Sequence, residues 1–370
     1  MNFRESDRDV WYTEKVKSEK IWEQEPHMST KHHFTYPSAD RVTQIHAICW
    51  TPAEKPRAIL QIAHGMVEFI DRYDDFARYL NELGILVTGN DHLGHGDSVT
   101  SRDNWGYFAD RDSPDILLQD MHSLTVRTKE RYPGVPYILL GHSMGSFLMR
   151  NWLCRWGDEL QGAVVMGTGM QPKMLVQAGK MVCGLLAKWK GWRHRSPFVD
   201  NMAFGSYNKT FEPARTKRDW LTRDEEIVDR YLAEPRCSFL FTLNGYHTLF
   251  SAIERLHDRE MLRKMPPDLP VLFVSGEADP VGDFGKGVRL AADTFLAAGM
   301  RDVDLWLYTG RHEILNETDR ELVYAELARW LVDIAEGNHR PAHAPAQCRD
   351  ENCACRRQEL GGFYRGNLDF

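Results

Sequence analysis

Short apolar runs alternate along this chain with stretches in which apolar residues recur every three or four positions. Ala58–Ala63, Ile85–Thr88, Tyr137–Leu140, Gly162–Met166, Val271–Ser275 and Val303–Tyr308 have the length and character of buried strands. Between them the spacing turns helical. Tyr73, Phe76, Ala77 and Leu80 follow the first run, and Phe147, Leu148 and Trp152 follow the third. Ser113-Pro114, an N-cap and first-turn pair, opens a helix predicted to reach about Tyr132. Further helices are predicted around Val288–Ala298 and over about Thr318–Ile334. Ahead of all these, His32–Tyr36 and Val42–Trp50 flank Pro37-Ser-Ala-Asp40 and read as an antiparallel hairpin. This alternation predicts an α/β fold: a mostly parallel central sheet with helices on both faces.

The alternation breaks from about Gln171 to Leu243, where the sequence is helical in character with scattered Pro and Gly. A helical cap inserted into one crossover explains the break. The chain then divides into a core of residues 28–170 and 244–336 and a cap of residues 171–243. Residues 1–27 are a charged N-terminal extension carrying Trp11 and Trp22, and Met28 is an alternative start. Residues 337–370 lose the apolar period and read as a disordered tail. Cys348, Cys353 and Cys355, with His339 and His343, bring metal-ligand chemistry there, but their spacing fits no familiar zinc pattern.

At 370 residues, 42% of them hydrophobic, the chain can bury the core of one large α/β domain. A formal net charge of −7 argues against nucleic acid as the main partner. Seven cysteines, an odd number, show no disulfide framework and suit a reducing cytoplasm. The first 27 residues lack the apolar segment of a secretory signal, and no run approaches the ~20 apolar residues of a membrane span. A soluble cytoplasmic protein is expected.

The run Tyr137–Leu140 leads straight into chemistry. Gly141-His-Ser-Met-Gly145 fits G-x-S-x-G, and a helical pattern follows at once. Strand, sharp turn and helix are what a nucleophile elbow requires, with Ser143 at the apex. A serine hydroxyl needs a base to take its proton and a carboxylate to orient that base. Downstream, Val271–Ser275 ends in Gly276-Glu-Ala-Asp279-Pro280, and Val303–Tyr308 ends in Thr309-Gly-Arg-His312-Glu313. Asp279 and His312 therefore sit just past consecutive strands, at the sheet edge expected for Ser143. Glu277 and Asp283 rival Asp279 but read better as solvated loop acids. His247 and His257 fall in a predicted helix and read as structural. Attack on an ester needs two preorganised N–H donors for the oxyanion. The amides of Met144, after the nucleophile, and Met66, in the loop after Ala58–Ala63, are the candidates. Their side chains are expected to line an apolar site, with Met144 on an exposed elbow.

Ala63-His-Gly-Met66, Asp91-His-Leu-Gly-His-Gly96, Gly141-His-Ser-Met-Gly145, Gly276-Glu-Ala-Asp279-Pro280 and Arg311-His-Glu313 together resemble the monoacylglycerol lipase/lysophospholipase-like group of α/β-hydrolases. Arg215-Thr-Lys-Arg-Asp-Trp-Leu-Thr-Arg-Asp224 through Tyr231 resembles its bacterial branch. The resemblance implies the α/β-hydrolase fold, a triad of Ser143, Asp279 and His312, and an oxyanion hole from Met66 and Met144. It places His64, Gly65 and His142 among the motif residues of the substrate site. It implies no metal and no organic cofactor. Phe69 stands where this branch often has His, and Leu93 where many relatives have Arg; both bear on the rim of the site.

The implied activity is hydrolysis of single-chain lipid esters such as monoacylglycerols or lysophospholipids. Two alternatives stay open. One is an aminopeptidase on small peptides with the same triad, for which Glu225-Glu226 offers an anchor for the substrate amine. The other is a non-catalytic hydrolase-fold receptor or scaffold, against which the complete triad counts. The segment Gln171–Arg195 adds a possible lipid surface contact. It holds six basic residues (Lys173, Lys180, Lys188, Lys190, Arg193, Arg195) and no acidic one. If helical, Leu175, Val182, Leu185, Leu186 and Trp189 share one face. That face suits either packing over an acyl tunnel or burial at a lipid–water interface.

Overall fold

In a computed structural model of the chain, residues 29–110 and 113–340 are described. In chain order the elements are β1 (Thr30–Pro37), β2 (Gln44–Thr51), β3 (Ala58–Ala63), α1 (Asp74–Glu82), β4 (Ile85–Asn90), α2 (Ser113–Arg131), β5 (Tyr137–His142), α3 (Met144–Trp156) and β6 (Gly162–Met166). There follow α4 (Lys173–Lys190), α5 (Pro197–Phe204), α6 (Glu225–Ala233), α7 (Leu243–Arg255), α8 (Arg259–Leu262), β7 (Val271–Gly276), α9 (Lys286–Ala298), β8 (Val303–Tyr308) and α10 (Arg320–Ala335).

One sheet takes all eight strands in the order β1-β2-β4-β3-β5-β6-β7-β8. The β1–β2 hairpin is antiparallel and joins β4 antiparallel; every later pairing is parallel. Because side chains alternate across a strand, each central strand feeds two cores. On β3, Ile59 and Ala63 join one apolar cluster while Leu60 and Ile62 join the other. The first cluster packs under α2, α3 and α9, and the second under α1 and α10. Burial on both faces explains why these strands read as unbroken apolar runs. Gln61 is the polar exception in β3. It is satisfied by Tyr137 (2.6 Å) and Thr125 (2.8 Å), and its amide donates to the Met121 carbonyl (3.0 Å).

Between β6 and β7 the chain forms α4, α5 and α6 before reaching α7 and α8. Four local expectations change. Ser113 is the first residue of α2, and its hydroxyl donates to the Ala109 carbonyl (2.8 Å) instead of accepting a helix N–H. His257 lies in the turn after α7, where its Nε2 meets the Gln171 carbonyl (3.0 Å). On α4 the expected single stripe divides. Val176, Gly179, Cys183 and Ala187 face inward with Val182 and Leu186 beside them, while Leu175, Leu185 and Trp189 stay exposed. The packed chain also runs past residue 337. His339 Nε2 meets Asp302 (3.1 Å) and its ring lies edge-on to Trp330. The 1–27 extension and His343, Cys348, Cys353 and Cys355 lie outside the described residues.

The hairpin turn is tied to α2 through a buried carboxyl. Asp120 accepts from the Ser38 hydroxyl (2.8 Å) and the Ala39 amide (2.6 Å). Burial pushes this carboxyl up to about 7, against the downward pull of those two donors. A carboxyl whose folded-state pKa lies above its unfolded value favours folding while protonated, and that advantage is lost as pH climbs through about 7. Asp120→Asn removes the cost of ionisation. Its stability relative to wild type should therefore rise by roughly 2–4 kcal/mol between acid and mildly alkaline pH. Urea unfolding at about pH 4.5 and pH 8 measures this, and an offset independent of pH would refute it.

Candidate active site

The chain reverses between β5 and α3 within a single residue. Ser143 holds φ 52° and ψ −119°, a left-handed conformation that a non-glycine side chain adopts only under constraint. Its amide donates to the Met166 carbonyl (3.0 Å), which pins the apex to β6. The flanking glycines make the turn possible. A Cβ on Gly145 would stand 2.0 Å from the Ala63 carbonyl oxygen, and one on Gly141 would stand 2.6 Å from that of Gly145. Helix and strand thus pass at a distance that no side chain permits.

Beside the elbow lie the two other predicted residues. Asp279 and His312 are buried, and His312 Nδ1 is 3.0 Å from each Asp279 carboxylate oxygen. Asp279 also accepts from the Val281 amide (2.8 Å) and the Ser275 hydroxyl (3.3 Å), so its carboxylate is fixed from behind. Of the rivals, Asp283 is exposed and Glu277 half-buried, and neither bonds to His312. Ser143 and His312 line one cavity without a hydrogen bond between them in this structure. Such contacts are often long in the free enzyme and tighten with substrate bound.

That cavity is mostly apolar and opens under α4, α5 and α6. Met66 and Met144 line it as expected, but Met144 is a buried elbow residue, only 2% exposed. Its amide is the first of α3 and so lacks a helical partner. Gly65 and His142 line the cavity too. His64 does not. It is fully buried behind the loop, where Nδ1 donates to the Gly65 carbonyl (2.7 Å) and Nε2 accepts from the His92 amide (2.9 Å). Its role is to hold the loop after β3 against the loop after β4. Glu225 and Glu226 also lie elsewhere, exposed on the first turn of α6 and paired with Arg215 and Arg230.

Beneath the cavity floor is a network that sequence reasoning missed. Arg72 donates to Glu68 (2.8 Å) and makes a two-pronged pair with Glu313 (2.8 and 2.7 Å). Glu68 also accepts from the Gly65 amide, and its Oε1 lies 3.1 Å from both Tyr73 Oη and His142 Nδ1. Burial would raise the Glu68 carboxyl, but His142 and Arg72 hold it well below the usual carboxylate range. Burial would likewise lower His142, yet the Glu68 contact raises it. The signal was in view: Glu68 and Arg72 stand four apart after the His64-Gly65 turn, and Glu313 follows His312 directly. The segment before α6 is strapped to the same loop. Glu313 N–H donates to the Leu221 carbonyl (2.7 Å), and the Trp220 ring lies 5.1 Å from that of His312.

Two clusters among the described residues have metal-ligating composition: His46 with Asp91 and Asp97, and Asp302 with Asp304 and His339. Both lie away from the cavity. Each already has an internal pairing, His46 with Asp91 (2.8 Å) and His339 with Asp302 (3.1 Å).

The strand order, the strained serine elbow and the acid–histidine pair on successive loops define a serine hydrolase of the α/β-hydrolase fold. More narrowly, a family model described as "Serine aminopeptidase, S33" matches residues 54–319, and the chain belongs to that family. It is 28% identical over 296 residues to a monoacylglycerol lipase of Mycolicibacterium smegmatis, covering 76% of this chain and 91% of that protein. It is 26% identical over 306 residues to a monoglyceride lipase of Rattus norvegicus, covering 81% and 88%. Among solved structures it is similar to a thermostable carboxyl esterase from Bacillus coagulans in complex with glycerol. There the TM-score is 0.75 at 28% identity, covering 83% of this chain and 98% of that one.

Arg72→Leu leaves the buried Glu313 without its cation and Glu68 with His142 alone. Removing one partner of a buried ion pair typically costs about 3–5 kcal/mol. Thermal and urea unfolding should show that loss, with Glu68→Gln restoring part of it in the Arg72→Leu background. A loss below about 1 kcal/mol would mean that water, not Arg72, satisfies these carboxylates.

Proposed function

We propose that the protein hydrolyses carboxylic esters of single acyl chains, monoacylglycerols or lysophospholipids, through an acyl-enzyme on Ser143. The observation that carries this reading is the buried Asp279–His312 pair beside Ser143 on the floor of a mostly apolar cavity. Asp279 holds His312 in the tautomer whose Nε2 can take the Ser143 proton. The serine oxygen attacks the ester carbonyl, and the amides of Met66 and Met144 receive the charge that develops on its oxygen. His312 then returns the proton to the leaving alcohol. A water deprotonated by the same ring releases the acid and restores Ser143. The chemistry calls on no metal and no organic cofactor.

The similarity to proteins named as lipases supports a lipid substrate, and the apolar walls suit an acyl chain. The peptidase reading has lost its expected anchor, since Glu225 and Glu226 are outside the cavity and Arg72 takes up Glu68 and Glu313. Asp200 is the one carboxylate on the lining without an ion pair, and it is what still favours a substrate amine. Turnover of an aminoacyl amide ahead of a medium-chain ester would decide for that reading.

Ser143→Ala should fold normally and lose several orders of magnitude of esterase turnover, together with all labelling by a fluorophosphonate probe. Retention of more than about a tenth of the activity would remove Ser143 from the nucleophile role. Asp279→Asn should disable the enzyme far more than Asp283→Asn, and the reverse order would move the acid to Asp283.

The cap also supports peripheral contact with a lipid surface. No described helix is long and apolar enough to cross a membrane. Yet Met174, Leu175, Met181, Leu185 and Trp189 are all more than half exposed along α4, and Phe198 on α5 joins them. Lys173, Lys188 and Lys190 are exposed on the same helix, whereas Lys180 is taken by Glu254. Apolar burial and attraction to anionic headgroups add at such a helix. Lys188→Glu with Lys190→Glu should abolish co-sedimentation with anionic vesicles and slow turnover of vesicle-borne ester, sparing a short soluble ester. Equal loss on both substrates would point instead to a damaged cap.

A further inference from the structure

The lining of the catalytic cavity carries four ionised side chains besides its histidines: Glu68, Glu313, Asp200 and Arg218. Glu68 and Glu313 share Arg72, and Glu68 is also paired with His142. Arg218 is different. It is half-buried, and its guanidinium has no carboxylate or hydrogen-bond acceptor among the described residues. Its charge acts on the phenols of Tyr231 and Tyr246. A guanidinium on the rim of a mostly apolar cavity, without an anion among the described residues, is free to meet an anionic group of a ligand.

Its place in the fold says which part of a substrate it meets. The Arg218 carbonyl accepts the Leu221 amide (2.9 Å), so Arg218 begins the tight turn that presents Trp220 to His312. The apolar wall for an acyl chain is made elsewhere, by Val176 and Gly179 of α4 with Leu249, Phe250 and Ile253. Arg218 is thus two residues from Trp220, whose ring packs on His312. Asp200 accepts from Tyr246 (2.6 Å) and pairs with no cation. The cavity therefore offers one cation and one anion, set apart beyond ion-pair distance, both acting on Tyr246. That pattern complements a phosphate followed by an ammonium better than it complements glycerol.

We propose that Arg218 binds the phosphate on the alcohol side of a lysophospholipid-type substrate and so selects phosphate-bearing single-chain esters over neutral monoacylglycerols. The planar fork of arginine matches two phosphate oxygens, as a lone ammonium does not. The proposal rests on the ester-hydrolase reading above, and its test separates the two.

Wild type, Arg218→Gln, Arg218→Lys and Lys217→Gln are compared on lysophosphatidylcholine and on 1-monoacylglycerol of the same chain length. Lys217 is the exposed neighbour, so its variant removes the same charge outside the cavity. The readout is the ratio of kcat/KM for the two esters. Wild type should favour the lysophospholipid, and Arg218→Gln should lower the ratio by about 10- to 100-fold, mainly through KM. Arg218→Lys, which keeps the charge without the fork, should fall between, and Lys217→Gln should keep the wild-type ratio. An unchanged ratio in Arg218→Gln, or an equal shift in Lys217→Gln, overturns the proposal. So does a wild type that cleaves only the monoacylglycerol, an outcome that leaves the ester-hydrolase reading standing. Weaker inhibition by oleate in Arg218→Gln with the ratio intact would assign the guanidinium to a product carboxylate and also overturn it. Turnover of neither ester removes both readings.

Discussion

One guanidinium ties together the loops around Ser143. Arg72 pairs with Glu68 in the loop after β3 and with Glu313 in the loop after β8, and its charge lies 4.9 Å from the centre of the Tyr231 ring on α6. Glu68 carries the connection inward to the Gly65 amide and to His142, the residue before Ser143. Tyr231 closes the circuit by donating to the Val67 carbonyl (2.9 Å). Desolvating such ions costs several kcal/mol each unless geometry and hydrogen bonds compensate, so the network is favourable only when complete. A loop that drifts by an ångström strands a buried charge. The loop after β3, the Ser143 elbow and the loop after β8 are thereby tied to one another, as the proposed mechanism would require of a preorganised site.

This network also marks where the sequence stopped being legible. Strands buried on both faces announce themselves as apolar runs, and β3, β6 and β8 begin and end where those runs do. The elbow is readable because Gly141 and Gly145 answer a local steric demand within five residues. Asp279 and His312 are readable because each follows its strand directly. Arg72 and Glu313 are 241 positions apart, and nothing local says that they meet. Helix faces were harder still. Apolar residues surround most of α4, so periodicity alone could not say that Val176 and Cys183 face inward while Leu185 and Trp189 face out. Tertiary packing decides that, against the small residues Gly179 and Ala187, which let the helix approach.

The cap segment therefore has two apolar sides with different consequences. Its inner side lines the catalytic cavity through Val176, Gly179 and the α5 residues Ala203 and Phe204. Its outer side leaves Trp189 at 90% exposure and Met174 at 83%, far beyond the scattered single apolar residues that ordinary surfaces tolerate. Yet Leu175 and Met202 belong to both, since each is exposed and each lines the cavity. They mark the edge at which the interior surface becomes the exterior one. On the proposed reading, an acyl chain entering at that edge would pass from one apolar surface to another.

Charge gives this geometry a direction. The chain carries a formal net charge of −7, so an anionic surface repels the molecule as a whole. The exposed lysines of α4, and Arg218 with no ion pair among the described residues, are exceptions in the segment between β6 and β7. On the proposed lipid contact, such a division would favour approach with the α4 side toward negative headgroups, over a range set by the Debye length of about 8–10 Å. On that proposal, orientation would come from the long-range field, adhesion from the exposed apolar residues, and selection from Arg218. These three terms respond differently to salt. The first is screened within the physiological range, the second is strengthened by kosmotropic ions, and the third is shielded by the cavity walls. On the proposed reading, salt therefore acts on how often a substrate is met more than on which substrate is chosen.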